Sequence, residues 1–585
     1  MSQQEVRYKW NEIPWRKLEK SSFKLQKRIY RASKCNDIKK MHNLQRLLLK
    51  SMRARTLAVR KVTQDNRGKK TAGIDGKASL NQQKRLQLAQ SLDIREKAKP
   101  SRRVWIPKPG RPSERRPLGI PTITDRAKQT LVKMTLEPEW EAKFRPNTYG
   151  FRPGRSCHDA IEAIFSTLKR KTAYCLDADI SGCFDNINHN ALLKKLNTTP
   201  AITKVIKGWL KAGIMEGGMF QPTKSGTIQG GTISPLLANI ALHGLEEHIK
   251  TALASELFSH KKEKLGQTSH RDAQSALNVT VYADDFVILH ESEEIIFKAK
   301  TLTEEWLKTI GLELRSSKTR ISHTLNSCKG RKPGFDFLGF VIRQYPVKCS
   351  KKGYKLLIKP SHKSIKQYKL AIKQKIRKMR GAPQEGLIKE LNPIIKGWSR
   401  YYTSVVSSRI FRSLDNAMNR KLWKWALYRH NNKGKCWIKR KYFKKYDNDN
   451  WRFMTNNNVI LTRHSDNAIK RHTKVKGSKS PYDGDWVYWG SRISKVPGKS
   501  SQVIRMMKRQ QGRCGYCNLW FRFDDFVHIH HQDRNRGNNN SKNLLLLHKH
   551  CHDQLHGSVH DKHQIREKPD DGKLSSPVLK SSGER

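Results

Sequence analysis

Residues 279–289 give the most definite indication of local structure in the sequence. Strand-forming residues fill both halves of the stretch, and only Ala-Asp-Asp separates them. Two such runs with so short an interruption predict a β-hairpin with Asp284 and Asp285 at its tip. Adjacent carboxylates repel each other, so we expect a cation beside them, and Mg²⁺ is a hard ion that prefers oxygen ligands. An ordinary Asp-containing turn is the alternative that this stretch alone leaves open.

The balance of charge limits the partners of the chain. Its 118 Lys and Arg residues exceed its 50 Asp and Glu residues, which gives a formal net charge of +68. Self-repulsion on this scale destabilises a compact fold unless a polyanion neutralises it, so we expect a nucleic acid as partner. The sequence has no run of about 18 apolar residues that would span a bilayer, and it begins without an apolar signal core. These features predict an intracellular protein.

A second candidate strand supplies a third carboxylate. In residues 174–179 the alternation of a strand places Asp177 and Asp179 on one face, with Asp179 at the strand end. Two metal ions about 4 Å apart can activate an attacking oxygen and stabilise a leaving one. Asp179 therefore completes a candidate metal site with the two aspartates of the hairpin, whereas Asp185 is interpreted as part of the following turn.

The N-terminal region favours helices. In residues 1–60 the apolar residues Leu44, Leu47, Leu48 and Met52 recur at helical spacing, with Lys and Arg between them. A basic helical surface packed on a core is the interpretation that this pattern supports.

Four further segments contribute features typical of nucleic-acid contact. Cations on both sides of a Pro-Gly turn predict a hairpin at 102–121 that lies over phosphates, with a solvated turn as the alternative. Residues 147–156 mix Arg, Gly and aromatic side chains, which suit contact with single strands. Glycines in 225–239 allow close approach of a backbone or base before an apolar helix. A helix is predicted near 293–310, after the Asp-Asp hairpin.

Taken together, these segments carry a family resemblance. Seven blocks follow one another in chain order: 107–109, 149–155, 179–184, 229–230, 282–285, 311–318 and 337–340. This ordered set resembles the reverse transcriptases encoded by group II introns. The resemblance implies an α+β multidomain fold: a right-hand polymerase with fingers, palm and thumb, then a helical maturase domain and a small zinc-containing ββα-metal domain.

The resemblance also implies roles for single residues. Asp179, Asp284 and Asp285 would hold catalytic Mg²⁺, which favours a catalytic hairpin over an ordinary turn, and Asp177 and Asp185 would be structural. Around the incoming deoxynucleoside triphosphate it implies Lys108 and Arg116 at the phosphates, Lys318 near them, Phe184 at the ribose 2′ position and Gln229 at the nascent base pair. The carbonyl of Ile180 would face the second metal of this nucleotide-binding site. Such chemistry is phosphoryl transfer by positioning and charge neutralisation.

The region after the palm is rich in Lys, with Ile, Leu and Trp at helical spacing. Its segments 391–402 and 420–426 resemble the thumb and maturase domain of the same family. The resemblance implies contact with intron RNA through shape and backbone more than through base edges. Residues 464–510 resemble the basic DNA-binding segment of the family, and a plain linker is the alternative.

The C-terminal region has a signature of its own. Cys514 and Cys517 form one pair at metal-ligand spacing, and His548 and Cys551 form a second pair. Thiolates and one imidazole in a tetrahedral array suit structural Zn²⁺. The pattern at 511–560 resembles an HNH endonuclease, which commonly has Cys where His548 stands, and this change keeps a ligand set that can bind zinc.

An HNH resemblance implies a second, catalytic metal. His531 would be the general base that activates water, and Asn543 would orient the hairpin that carries it. His530, His552 and His556 would hold a divalent metal, although the family commonly has an acid where His530 stands. His552 and His556 are four residues apart and share one face of a helix. A structural zinc knuckle that only binds nucleic acid is the alternative.

The implied function is that of a multifunctional mobile-intron protein. It would combine RNA-directed DNA polymerase, splicing maturase and site-directed DNA endonuclease activities in retrohoming by target-primed reverse transcription. Its partners would be its own intron RNA, target DNA and deoxynucleoside triphosphates, in a bacterial cytoplasm or nucleoid or in an organelle. Two alternatives are a non-enzymatic RNA-binding splicing cofactor and the reverse transcriptase of another element, such as a retron.

The same patterns predict an order of domains. They are 1–95, an N-terminal helical extension and start of the fingers; 96–345, fingers and palm; 346–463, thumb and maturase domain; 464–510, a basic DNA-binding segment; 511–560, an HNH endonuclease; and 561–585, a disordered tail.

Overall fold

The computed structural model describes residues 9–560 except 109–110, 350, 448, 494–499, 522–524 and 536. The tail predicted at 561–585 lies outside the described residues. Among the helices that are described, none combines the length and the apolar character that crossing a lipid bilayer requires.

The N-terminal region is helical, as its spacing predicts. Its elements are a 3₁₀ turn Trp10–Glu12, α1 Trp15–Lys34, α2 Ile38–Lys50, α3 Met52–Arg60, a π-helical turn Lys61–Asp65, a 3₁₀ turn Arg67–Lys70 and α4 Gln82–Ser91. Leu44 and Leu48 are buried as expected, but Leu47 and Met52 are 56% and 42% exposed. The predicted apolar face is therefore wrong in part. Met52 does not continue it because the Ser51 side chain caps a new helix that starts at Met52, and nothing in the structure explains the exposure of Leu47.

The central region mixes short strands with helices. Its elements are β1 Ser101–Lys108, β2 Arg111–Ile120, α5 Ile123–Lys143, α6 Cys157–Leu168, β3 Tyr174–Asp179, α7 Cys183–Asn186, α8 His189–Leu196, α9 Pro200–Leu210, β4 Ile214–Glu216, β5 Met219–Gln221, α10 Ser234–Leu242, α11 Leu245–Ala252, α12 Ala254–Leu265, α13 His270–Ala276, β6 Asn278–Tyr282, β7 Asp285–His290, α14 Glu293–Thr309 and β8 Arg320–His323. The hairpin predicted at 102–121 is confirmed as β1 and β2, and the helix predicted near 293–310 as α14.

One four-stranded antiparallel sheet, in the order β6-β7-β3-β8, separates two hydrophobic cores. Leu176 and Ile288 lie in the core that the N-terminal helices share. Cys175, Val287 and Leu289 lie in a second core on the opposite face. Burial of each aliphatic side chain contributes about 2 kcal/mol, so both faces of this sheet are held firmly and its strand ends are fixed in space.

A helical region follows the central sheet. Its elements are β9 Phe335–Phe337, β10 Phe340–Pro346, β11 Tyr354–Pro360, α15 His362–Lys378, α16 Gln384–Tyr402, α17 Ser408–Arg429, α18 Lys435–Tyr442, β12 Phe443–Tyr446, β13 Asp449–Phe453 and a 3₁₀ turn His464–Asp466. A buried polar chain ties it together, because Tyr368 Oη lies 2.5 Å from His464 Nε2 and His464 Nδ1 lies 2.6 Å from Asp415 Oδ1. A fully satisfied network of this kind rigidifies the packing around it.

Residues 467–493, which we call the strap, pack back onto the central region and end in α19 Trp486–Ile493. The buried Asp159 of α6 accepts a hydrogen bond from Val475 N at 2.8 Å, forms an ion pair with Arg492 and lies 3.2 Å from His472 Nε2. Burial alone would raise the pKa of Asp159, but these partners outweigh it and lower that pKa to about 2. These contacts anchor the strap to α6 of the central region.

The C-terminal region forms a small module with its own core. Its elements are α20 Ser501–Arg509, β14 Val527–His531, a 3₁₀ turn Ser541–Asn543, β15 Leu544–His548 and α21 Lys549–His560. Strands β14 and β15 pair antiparallel, and α21 packs against both. Gln554 of α21 donates hydrogen bonds from Nε2 to the carbonyls of Asn11 and Ile13 at 3.0 and 3.3 Å, so the two ends of the described chain meet.

Candidate functional site

The hairpin predicted around the two aspartates is confirmed, and a glycine lies against its tip. Strands β6 and β7 pair up to Tyr282 and Asp285, and Ala283 between them has φ of 57°, which is unusual for a residue with a Cβ. Gly150 packs on this turn so closely that a Cβ there would lie 2.3 Å from Ala283 N. Asn239 holds the glycine by donating from Nδ2 to the Gly150 carbonyl at 2.8 Å. Gly150 and Asn239, from two other parts of the chain, thus position the turn.

The three predicted carboxylates come together at the sheet edge. Asp179 ends β3 directly opposite Asp285, which starts β7, and Ile180 N donates to the Asp284 carbonyl at 3.3 Å. Burial, together with the charges of Asp284 and Asp179, raises the pKa of Asp285 to about 7. Burial also raises the pKa of Asp284. Carboxylates crowded in this way favour either a shared proton or a bound cation.

Cationic side chains already surround these carboxylates. Lys318 Nζ lies 2.7 Å and Arg315 Nη1 lies 3.2 Å from Asp179 Oδ2, and the charge of Arg116 acts on Asp284 to counteract the effect of burial. The sequence did not single out Arg315, whose only signal is its place three residues before Lys318 in the loop after α14. Oxygen donors alone form the inner set, which fits a hard divalent ion such as Mg²⁺.

Three of the residues predicted to surround a nucleotide differ in their contacts. Ile180 is buried and forms an isolated antiparallel β-bridge with Leu314. The Phe184 ring meets that of Phe151 edge-on at 6.0 Å. The Oε1 of Gln229 is buried without a hydrogen-bond partner among the described residues, so this amide has capacity for a ligand.

Two predicted phosphate contacts lie in the β1–β2 hairpin. Arg116 is exposed and pairs with Ile106 across the hairpin. Lys108 ends β1, but its side chain and the Pro-Gly turn lie outside the described residues.

The glycine segment after β5 is held against the turn that follows β3. Gly226 N donates to the Ile187 carbonyl at 2.8 Å, and Ser225 Oγ donates to the Asp185 carbonyl at 3.0 Å. A Cβ at Gly226, whose φ is +83°, would lie 2.4 Å from that Asp185 carbonyl. The Asp185 backbone therefore fixes the glycine loop.

Asp177, by contrast, lies near Asp336 and Arg320, and burial raises its pKa to about 7.

The four cysteine and histidine residues predicted to bind one metal are brought together. Cys514, Cys517, His548 and Cys551 are all buried, with one ligand atom from each within 4.8 Å of the others. His548 Nδ1 lies 3.3 Å from Cys517 Sγ and 3.9 Å from Cys551 Sγ. Three sulfur atoms and one nitrogen in a buried cage fit the ligand chemistry of structural zinc.

Three histidines form a second cluster in the C-terminal module. His530 from β14 and His552 and His556 from α21 also place one ligand atom each within 4.8 Å of one another. The two α21 rings are 4.4 Å apart, as their four-residue spacing predicts. Burial and neighbouring histidines lower the pKa of His552 to about 4 and lower that of His530. Neutral imidazoles of this kind can act as metal ligands.

The predicted base, His531, is the last residue of β14, and its orienting residue, Asn543, ends the 3₁₀ turn before β15. Asn543 Nδ2 donates to Asp533 Oδ1 at 2.8 Å and to the Asn538 carbonyl at 2.9 Å. Asp533 N donates to Asn543 Oδ1 at 3.0 Å, so this amide holds the loop that starts at His531. The Nε2 atom of His531 is buried without a hydrogen-bond partner among the described residues.

Three family profiles match successive parts of the chain. One described as the N-terminal domain of reverse transcriptase matches residues 10–92. One described as reverse transcriptase (RNA-dependent DNA polymerase) matches residues 106–342. One described as the group II intron maturase-specific domain matches residues 365–443.

Individual proteins are also similar to parts of the chain. The group II intron-encoded protein LtrA of Lactococcus lactis subsp. cremoris is 32% identical over 332 residues, covering 48% of this chain and 53% of LtrA, so the chain spans about half the length of that relative. Protein YkfC of Escherichia coli K12 is 31% identical over 308 residues, covering 48% of this chain and 77% of YkfC. A maturase-like protein of Euglena longa is 25% identical over 411 residues, covering 67% of this chain and 77% of that protein. The chain therefore belongs to the family of group II intron reverse transcriptases with a maturase domain.

Proposed function

We propose that the chain is an RNA-directed DNA polymerase whose active site is formed by Asp179, Asp284 and Asp285. The observation that carries this proposal is the convergence of the three carboxylates at one sheet edge, where Asp285 faces Asp179 and has a pKa raised to about 7. Extension of a DNA primer on an RNA template by the purified chain tests it.

The neighbouring side chains support a phosphoryl-transfer role. Bound Mg²⁺ would neutralise charge on the phosphates and orient the attacking oxygen. Lys318 and Arg315 form ion pairs with Asp179 in the structure. From this position they could release the carboxylate and bind the phosphates of a triphosphate instead. The unpartnered Oε1 of Gln229 supports a contact with the nascent base pair, and the ring of Phe184 supports exclusion of a 2′-hydroxyl.

Binding of Mg²⁺ to this site is expected to depend on pH. Asp285 has to lose its proton before it binds a metal, so apparent Mg²⁺ affinity should rise by up to about tenfold per pH unit below the pKa near 7 and level off above it. Without metal the pH dependence has the opposite sign. The free energy of unfolding should fall as pH rises from the ordinary pKa of Asp285 in the unfolded chain to about 7, because Asp285 keeps its proton to a higher pH in the folded state.

The measurement is the Mg²⁺-dependent rise in melting temperature, followed across this pH range. Asp285→Asn is the control, because it removes the titrating group and should flatten the pH dependence of the metal effect. An unchanged pH dependence in Asp285→Asn would show that another group controls metal binding. A His552→Ala background keeps the C-terminal histidines out of the result.

The helical region is proposed to bind intron RNA. The strongest support for RNA binding is a cluster of cationic side chains on α15 and α17. Burial and the charges of Lys373 and Lys369 lower the pKa of Lys421 in this cluster. Arg420 and Lys424 add to the same field. Cations that repel one another on a surface are stabilised by a polyanion, and phosphate contacts of this kind depend strongly on salt.

Neutralising this cluster should weaken RNA binding and reduce its dependence on salt. Lys373→Gln and Lys421→Gln are each expected to lower the magnitude of the slope of log affinity against log salt by about 0.7 to 0.9 for each phosphate that is no longer neutralised. The measurement is intron RNA binding at several salt concentrations. Lys389→Gln is the matched control, since Lys389 is paired with Glu385 at 2.7 Å on α16. Equal slopes in all variants would exclude the cluster from the RNA interface.

A DNA endonuclease activity is proposed for the C-terminal module, because it holds a second cluster of metal-competent residues apart from the cysteine cage. His530, His552 and His556 would hold a divalent ion, His531 would take a proton from water, and Asn543 would orient the loop. Zn²⁺ in the cysteine cage would stabilise the module. With polymerase, splicing maturase and endonuclease activities the protein would act in retrohoming on target DNA, using its intron RNA as template and deoxynucleoside triphosphates as substrates.

We propose the corresponding division of the chain: 1–95 with the start of the fingers, 96–345 with fingers and palm, 346–463 with thumb and maturase domain, 464–510 as DNA-binding segment and 511–560 as endonuclease. Anchoring of the strap by Asp159 supports a fixed, rather than free, position for the DNA-binding segment.

A further inference from the structure

The imidazole in the cysteine cage has a neighbour on the side that faces away from the sulfur atoms. His548 is 2% exposed, its Nδ1 faces the cysteine sulfurs, and its Nε2 lies 3.2 Å from Asp525 Oδ2. Asp525 is 25% exposed and precedes β14. The cage and this carboxylate therefore contact opposite nitrogens of one ring.

A histidine ligand differs from a cysteine ligand because either of its two ring nitrogens can bind a metal. Neutral imidazole carries its proton on either nitrogen, and only the deprotonated nitrogen can bind a metal. Packing limits the plane of the His548 ring, because the Phe521 ring meets it edge-on at 4.7 Å and the His550 ring stacks on it at 5.0 Å. Packing alone does not determine which nitrogen carries the proton. A hydrogen-bond acceptor beside Nε2 favours the tautomer that is protonated at Nε2.

We propose that Asp525 is a positioning residue: its carboxylate accepts a hydrogen bond from the Nε2–H of His548, which keeps the proton on Nε2 and so presents Nδ1 as the fourth ligand of the C-terminal metal centre. This inference rests on the structural metal site proposed above. Partners of this kind fix the orientation of a ligating histidine and raise its basicity, and their loss typically weakens metal binding by about 10- to 100-fold. Where a cysteine occupies the fourth position, no such partner is required.

Asp525 also interacts electrostatically with the N-terminal helices, so it could instead serve to dock the C-terminal module on them. Its charge acts on Arg60, which forms an ion pair with Glu19 at 2.6 Å. Glu19 in turn lies 3.6 Å from Nε2 of His550, which is not one of the four ligands. If Asp525 served only to dock the module on these helices, Glu19 would share that role, and replacing either acid would weaken metal retention alike.

The test uses the full chain, depleted of metal with a chelator and reloaded with Co²⁺ or Zn²⁺. Thiolate-to-cobalt charge-transfer absorption reports the cysteine cage alone, because the other proposed sites have no sulfur ligands. Retention of the metal is then measured against a competing chelator. We expect Asp525→Ala to weaken retention by about 10- to 100-fold. Asp525→Asn should weaken it less, since its amide oxygen still accepts from Nε2.

The deciding comparison is a double-mutant cycle with His548→Cys. In that background Asp525→Ala should leave metal retention unchanged, and Glu19→Gln should leave it unchanged in the original chain. Equal losses from Asp525→Ala in both backgrounds, or no loss in either, would overturn the positioning role. Absence of a cobalt–thiolate band in the unaltered chain would instead overturn the metal centre itself, and with it the role of Asp525.

Discussion

Replacing Asp284 with Ala is expected to lower the rate of DNA synthesis on a primed RNA template by at least about a thousandfold. The reason is that a catalytic metal contributes several kcal/mol of charge stabilisation, and each 1.36 kcal/mol corresponds to a factor of about ten in rate. The same substitution should not unfold the protein. Burial raises the pKa of Asp284, so its charged form is disfavoured in the fold, and removing it relieves repulsion.

Steady-state primer extension and thermal melting together check this prediction. We expect a melting temperature at or above that of the unaltered chain and near-complete loss of extension. Glu305→Ala, which removes an exposed acid from α14, is the matched control and should extend primers normally. Normal synthesis by the Asp284→Ala chain would exclude the hairpin from catalysis.

Replacing His531 with Ala is expected to abolish nicking of target DNA while RNA splicing and primer extension persist. A general base contributes about 10²- to 10⁴-fold to a rate, and the His531 Nε2 atom has no partner among the described residues that would compete for that role. Because Asn543 holds the loop through Asp533 and Asn538, the substitution should leave the fold of the loop intact.

The measurement is strand-specific cleavage of labelled target DNA by the ribonucleoprotein. The Asp284→Ala chain serves as the reciprocal control, because it should still nick the DNA that the His531→Ala chain leaves whole. Full nicking by His531→Ala would show that a different residue activates the water. Loss of both nicking and extension in one variant would indicate a folding defect instead of two separate sites.

The parts of the fold that depend on local pattern were predictable from the sequence. The hairpin at Asp284 and Asp285 follows from two strand-forming runs, and the shared face of His552 and His556 follows from helical spacing. The grouping of Cys514, Cys517, His548 and Cys551 within 4.8 Å follows from pairs whose spacing suits a metal. In each case the residues that matter lie within one turn or one strand of each other, or belong to a pattern with a known chemical use.

Contacts between distant segments could not be predicted in the same way. Arg315 reaches Asp179 only because the loop after α14 returns to the end of β3, where Arg315 N donates to the Asp179 carbonyl at 2.8 Å. Asp159 and Arg492 meet across 333 residues with no local signal in either segment. Asp525 stands outside the ligand spacing of the metal pairs. Each of these contacts depends on tertiary packing, which periodicity and motif spacing do not encode.

The most direct test of the central claim is DNA synthesis by the purified, unaltered chain on an RNA template with an annealed DNA primer, in the presence of Mg²⁺. If Asp179, Asp284 and Asp285 form a polymerase site, deoxynucleotides should be added to the primer in the order that the RNA dictates, and removal of Mg²⁺ should stop the reaction. A chain that binds and splices intron RNA but adds no deoxynucleotide under these conditions would be a splicing cofactor, and the polymerase assignment would be wrong.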